Sequence, residues 1–328
     1  MIFRKLVLAA AFLAFAVVVF GAFVRLSDAG LGCPDWPGCY GHVAVPLGAE
    51  ARGLAQLKFP DKPFDDAKAW IEMIHRYLAG VLGLLVFAIA AYAWRKRAVL
   101  QQSPALPLFL TGLVVLQALL GMWTVTLLLK PAVVSLHLLG GMATLALLCR
   151  LTLLQYATPL SVNNGNRGKL RFWCWFGLLL LALQIALGGW VSANYAALAC
   201  GGFPLCNGSW VPEMDFASGF HFLRQLGMTA EGEPLSNPAL NAIHWTHRLG
   251  ALIVFCYLTL LAIAVVRIQG LQKYGALLLV VLCAQVVLGI ENVLLSLPLA
   301  LAVAHNAAAA LLLIAMVVLN FKINQIRE

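Results

Sequence analysis

The chain has 328 residues, 62% of them hydrophobic and 11% charged, with a formal net charge of +9. Soluble domains carry about a quarter charged residues, so this balance excludes a water-soluble globular protein and makes a lipid bilayer the expected solvent. No basic run interleaves with aromatic residues, which removes nucleic acid from the expected partners and leaves the charge to report sidedness.

Eight stretches are apolar over the ~20 residues that a helix needs to cross a bilayer. The first, 6–25, follows Arg4 and Lys5; it is longer than the apolar region of a signal peptide and lacks a small-x-small cleavage site, so it is expected to be retained. It closes on Arg25. A long loop, 26–70, then holds Cys33 and Cys39, the latter inside Trp36-Pro37-Gly38-Cys39-Tyr40-Gly41. The second stretch, 71–93, opens with Glu72-Met73-Ile74-His75-Arg76. The third, 106–128, carries Gln117 and Gly121, and the fourth, 132–152, carries His137 followed by Gly140 and Gly141.

The fifth stretch, 171–191, leads into a second long loop, 192–243, with Cys200 and Cys206 and the segment Phe203-Pro204-Leu205-Cys206-Asn207-Gly208. The sixth, 244–266, contains His244, His247, Arg248, Gly250 and Ala251. Gln285 and Gly289 lie in the seventh, 273–294, and His305, Ala308 and Ala309 in the eighth, 299–320. The second series repeats the first. The cysteine pairs are offset by 167 residues, Gln117, Gly121 and His137 recur at an offset of 168, and His75-Arg76 recurs as His247-Arg248 at 172. The expected fold is therefore all-α, with eight transmembrane helices forming two tandem four-helix bundles, residues 1–160 and 161–328. With four spans per repeat, both insert in the same orientation, unlike inverted-repeat transporters.

Arg4, Lys5, Arg95, Lys96, Arg97, Arg150, Arg167, Lys169, Arg171, Arg267, Lys273, Lys322 and Arg327 fall at one face of this arrangement. By the positive-inside rule that face, with both termini, is cytoplasmic, and the two long loops face the other side of a bacterial inner membrane. An oxidising compartment permits disulfides there, and the pairings expected are Cys33–Cys39 and Cys200–Cys206, with free thiols the alternative. A metal site from Cys33, Cys39 and His42 is conceivable, but its counterpart near Cys206 lacks the histidine. His42 and His221 are expected to be exposed. Cys149, Cys174, Cys256 and Cys283 fall in helices and read as small packing residues.

Ionisable groups inside a span are costly, so the histidines point to function. His75, His137, His247 and His305 sit at one depth on the even-numbered helices. Paired as His75 with His137 and His247 with His305, they place one imidazole on each side of a haem plane. The Gly and Ala residues beside His137, His247 and His305 leave room for a porphyrin, although small residues also serve helix packing in lipid. Arg25, Arg76 and Arg248 lie where haem propionates could reach them, or alternatively snorkel to headgroups. The halves differ at one point: Glu72 precedes His75 by one turn, whereas His244 stands in the same place before His247.

Gly21-Ala22-Phe23-Val24-Arg25-Leu26-Ser27, Gly30-Leu31-Gly32-Cys33-Pro34-Asp35-Trp36-Pro37, Glu72-Met73-Ile74-His75-Arg76 and His247-Arg248 resemble the haem A synthase family over the whole chain. The resemblance implies oxidation of the C8 methyl of haem O to a formyl group, giving haem A for terminal oxidases. It implies that His75, His137 and Glu72 serve the half where haem O is converted, and that His247 and His305 hold a resident haem b. It also implies an electron donor or acceptor, and it makes contact with a haem O synthase plausible, as is a homo-oligomer. Iron held by two imidazoles has no open position for oxygen. Either a ligand departs, or the methyl loses electrons and water supplies the oxygen; the second is expected here, with Glu72 stabilising cationic character at the methyl. The competing readings are a bis-histidine cytochrome b relaying electrons from quinol and a haem carrier.

Overall fold

Asp65 and Ser236 decide where the helices behind the two long loops begin. Asp65 accepts a hydrogen bond from the Lys68 amide at 3.0 Å, and Ser236 accepts one from the Ala239 amide at 3.4 Å with Pro238 in the first turn. Each side chain satisfies an amide that a helix start leaves open. The helices accordingly start at Asp66 and Asn237, outside the apolar stretches that begin at 71 and 244. Hydropathy marks where lipid begins; the caps mark where the helix begins.

The computed structural model describes residues 2–100, 102–156 and 167–325. In chain order the helices are α1 (Ile2–Leu26), α2 (Ala49–Lys58), α3 (Asp66–Arg95), α4 (Arg97–Leu100), α5 (Ala105–Thr126), α6 (Pro131–Tyr156), α7 (Arg167–Ala193), α8 (Phe216–Gly219), α9 (Asn237–Val266), α10 (Gln272–Leu294) and α11 (Leu299–Gln325). Eight of them, α1, α3, α5, α6, α7, α9, α10 and α11, are long and apolar enough to cross a membrane, as the sequence predicts. Among the described residues there is no strand, only isolated bridges such as Cys39–His42 and Cys206–Ser209. The expected boundary at 160 and Arg327 lie outside the described residues.

Helix α1 packs on α3 and α6, and α5 packs on the same two, which closes a ring of four; α7, α9, α10 and α11 close a second ring in the same order. Histidine-bearing α3 and α6 are diagonal across the first ring, and α9 and α11 across the second. The rings meet through α1 with α11, α6 with α7, and α6 with α11. Because α7 is the counterpart of α1 and α11 that of α6 in the repeat, the first two contacts are one contact seen from either half. The third straddles a pseudo-two-fold axis.

The repeat extends to the backbone. Non-glycine residues with left-handed φ come in matched pairs: Asp28 with Tyr195, Tyr40 with Asn207, Leu128 with Ser296, and Leu129 with Leu297. At the end of α5 the Leu129 amide returns to Thr124 O at 2.7 Å, and at the end of α10 the Leu297 amide returns to Asn292 O at 2.7 Å. This six-to-one bond satisfies a last-turn carbonyl and turns the chain sharply into the next helix. The geometry is kept although the residues differ.

One apolar cluster draws buried side chains from all eight spans, including Val7, Val86, Leu110, Leu148, Cys174, Leu258, Leu278 and Met316. It fills the end of both rings remote from the cysteine loops. Toward the cysteine loops the rings are lined instead by histidine and glycine. Outside them, Phe12, Leu84, Phe109, Leu252 and Val280 are exposed, a surface suited to lipid. Two smaller clusters seat the loops: Cys33, Cys39, Tyr40 and Val45 pack on Ala69 and Met73 of α3, and Trp190, Val191 and Ala196 pack on Ile243 of α9. Fully burying a side chain such as Val45 contributes ~1.5–3 kcal/mol, so the first loop is a fixed lid on α3.

Candidate functional site

The two expected disulfides are present, Cys33–Cys39 and Cys200–Cys206. His42 is exposed and both cysteines beside it are bonded to each other, so no thiolate is left there to hold a metal. His221 is exposed as expected. Of the other cysteines Cys174 is buried and packs in the core, but Cys256 and Cys283 face outward, because the lipid side of a membrane helix accepts an apolar thiol as readily as the interior does.

His75, His137, His247 and His305 are all half-buried and line the open ends of the rings. Each ring packs edge-on against a glycine of the preceding helix in its bundle. A Cβ built on Gly21 would lie 2.9 Å from Cε1 of His75, on Gly121 3.4 Å from His137, on Gly188 3.1 Å from His247, and on Gly289 3.0 Å from His305. At Gly21 a Cβ would force the imidazole to shift, at Gly289 and Gly188 it would be tight, and at Gly121 it would be an ordinary contact. The Gly121–Gly289 repeat is visible in the sequence; Gly21 and Gly188 were missed, although their offset of 167 matches that of the cysteines.

Glutamines stand beside two of these rings. Nε2 of Gln184 lies 3.0 Å from Nδ1 of His247 and also donates to the His247 carbonyl at 3.0 Å. Nε2 of Gln285 lies 3.2 Å from Nε2 of His305. One ring nitrogen of each C-terminal imidazole is thus engaged and the other is left over, which is what a metal-ligating histidine requires. In the N-terminal half, Nδ1 of His75 and of His137 is buried without a hydrogen-bond partner.

Glu72 and the arginines serve the loops. Oε2 of Glu72 accepts the Cys33 amide at 2.8 Å, while Oε1 pairs with Nη2 of Arg76 at 2.5 Å, and Nη1 of Arg76 donates to Asp35 O at 2.9 Å and to Gly38 O. Glu72 is 4% exposed. In the second half His244 approaches the Cys200 amide at 3.4 Å and Nε of Arg248 at 3.2 Å, while Arg248 donates to Leu205 O and Cys200 O. A carboxylate accepts both bonds, whereas a neutral imidazole has one acceptor nitrogen and completes only one. The exchange also alters charge: Arg76 is neutralised by Glu72, and among the described residues Arg248 has no carboxylate partner. Arg25 crosses to the other half, where Nη2 donates to Ser192 O at 2.8 Å and the guanidinium lies 4.0 Å over the Tyr195 ring.

The donor set suits a planar iron macrocycle. The imidazoles of each couple come from helices diagonal across one ring. Glycines keep side chains off their edges, and cationic groups stand at the loop end. His75 with His137 could hold one haem, and His247 with His305 another.

The profile of a family described as cytochrome oxidase assembly protein matches residues 4–317. A protein of Shewanella oneidensis named Heme A synthase is 44% identical over 306 residues, covering 93% of this chain and 92% of that one. Proteins with the same name from Nitrosospira multiformis (30% identical, 95% and 91% covered) and Chelativorans sp. (28% identical, 91% and 84% covered) are also similar.

Proposed function

The chain belongs to the cytochrome oxidase assembly protein family, and on that premise we propose that it is a haem A synthase, an oxidoreductase that converts the C8 methyl of haem O to a formyl group. The observation that carries this reading is the pair of diagonal histidine couples, each imidazole backed by a glycine, at the open ends of two repeated bundles. The N-terminal couple, His75 and His137, receives the substrate haem O. The C-terminal couple, His247 and His305, holds a resident haem b, which when bound supplies one-electron transfer. Haem O synthase as donor of the substrate, an external electron partner and a homo-oligomer belong to the same proposal. So does the placement of both sites toward the periplasmic side of the bacterial inner membrane, with both termini in the cytoplasm.

Two features favour this division of labour. Nδ1 of His247 is engaged by Gln184, which suits permanent retention, whereas Nδ1 of His75, its counterpart, has no partner. Arg248 has no carboxylate partner among the described residues, its N–H groups going to His244, Leu205 and Cys200, whereas Arg76 is offset by Glu72. Arg25 adds a third cationic group at the seam. Glu72 acts in this scheme as a positioning residue: with both oxygens engaged it fixes the Cys33–Cys39 loop over the substrate half. A carboxylate in this half can also stabilise cationic character developing at the methyl.

A cell that makes haem O but no haem A, supplied with this protein and assayed by pigment extraction, tests the reading. Haem A in the extract is expected. Unchanged haem O alongside a reducible b-type spectrum is the result of a quinol-linked cytochrome and contradicts it.

A further inference from the structure

Three of the four helices that flank a histidine carry a glutamine one turn before the glycine that touches the ring: Gln117 before Gly121 on α5, Gln184 before Gly188 on α7, and Gln285 before Gly289 on α10. Residues four apart share a helix face. Beside His75 the corresponding residue of α1, one turn before Gly21, is Val17. Valine offers the imidazole no hydrogen bond, and Nδ1 of His75 is buried without a partner. Phe20, whose ring centroid is 6.4 Å away and nearly parallel, is its aromatic neighbour.

We propose that Gln184 is the positioning residue that makes the C-terminal site retain its haem, and that Val17 in the same place makes the N-terminal site release and accept one. The inference rests on the reading of the histidine couples as haem ligands. A hydrogen bond at one ring nitrogen fixes the tautomer and the rotation of the ring, leaving the other nitrogen aimed at iron. The Gln184 amide can present either its N–H or its carbonyl to Nδ1, so it can serve the tautomer that ligation at Nε2 demands. Presenting the carbonyl gives up the present bond to the His247 backbone, and Oε1 has no partner to lose. His75 must find its orientation each time a macrocycle arrives. That suits a site whose substrate enters as one haem and leaves as another.

The test exchanges the two residues in the whole purified protein, loaded at both sites with protohaem, and follows haem transfer to excess apomyoglobin. Wild type should lose haem in two phases of equal amplitude. Gln184→Val should speed the slow phase by about five- to tenfold, the value of one net hydrogen bond, and Val17→Gln should slow the fast phase by a similar factor. Gln184→Glu, which still accepts from a ring N–H, should keep the slow phase and so separate a lost hydrogen bond from lost volume. Val17→Gln tests the idea independently if Gln184→Val does not fold. Two phases that ignore both exchanges, or a single phase in wild type, overturn the proposal while leaving haem binding intact. A protein that takes up no protohaem removes the underlying reading instead.

Discussion

Asp28 and Tyr195 occupy the same place in the two repeats, and they hydrogen-bond to each other at 2.8 Å across the seam between the bundles. Both have left-handed φ, so one turn, used twice, brings the ends of α1 and α7 together. Arg25 reinforces the contact from α1 by capping α7 carbonyls and covering the Tyr195 ring. A sequence repeat thereby becomes a physical contact between its own copies.

The seam should be sensitive to alkali. Burial, with Asp28 adding and Arg25 opposing, holds the Tyr195 phenol above its ordinary value of 10.0. A group whose folded pKa is raised contributes stability that is complete below the unfolded value and is lost as pH climbs through the folded one. Thermal unfolding in detergent should therefore show a midpoint that falls above about pH 10, and Tyr195→Phe should lessen that fall. Identical alkaline profiles would show that the contact contributes nothing.

Glu72→Gln keeps shape but removes a charge from a pair whose side chains are 5% and 12% exposed. Leaving Arg76 without its buried partner costs ~3–5 kcal/mol in such settings, and the Cys33 amide keeps only a neutral acceptor. The expected result is a variant that binds haem but gives no haem A on pigment extraction. A normal haem A yield would mean that Glu72 has no part in the chemistry.

Each disulfide closes a short loop, so chain entropy assigns it only ~2 kcal/mol. Cys33→Ser with Cys39→Ser should lower the thermal midpoint modestly yet reduce haem A formation strongly, because the Glu72–Cys33 bond depends on that loop. Cys200→Ser with Cys206→Ser should instead raise haem loss from the C-terminal site. Measuring haem content and haem A yield on both double variants distinguishes these outcomes from a shared, purely structural loss.

Much of this was legible in the sequence because lipid imposes few options. Eight apolar runs, the paired cysteines and the histidines at one depth each follow from a single strong constraint, and the helices appear where those runs predict. What escaped was set by polar detail. The starts of α3 and α9 depend on the Asp65 and Ser236 caps, which hydropathy ignores. Arg76 and Arg248 read from the sequence as partners for propionates, but their donors go to loop carbonyls that no spacing rule identifies. The contacts of Gly21, Gly188 and Gln184 with the rings escaped because a helix in lipid carries many small residues, and only the neighbouring helix reveals which positions touch a ring.

The glycines behind the imidazoles give a site-by-site probe. Gly188→Val adds bulk where a Cβ alone would stand 3.1 Å from His247, and Gly21→Val does so at 2.9 Å from His75. Each should reduce haem content by about half, measured as pyridine haemochrome per protein, with overpacking costing ~1–3 kcal/mol of stability. Loss confined to one half in each variant is expected; full haem content in both would mean that these faces do not border a haem.

The most direct measurement is the low-temperature EPR spectrum of the oxidised, haem-loaded protein, with His75→Ala and His305→Ala beside wild type. Imidazoles facing each other across each bundle predict two low-spin signals in wild type, one of which disappears in each variant while the other persists. A protein that stays colourless when offered haem, or low-spin signals that survive both substitutions, would contradict the account.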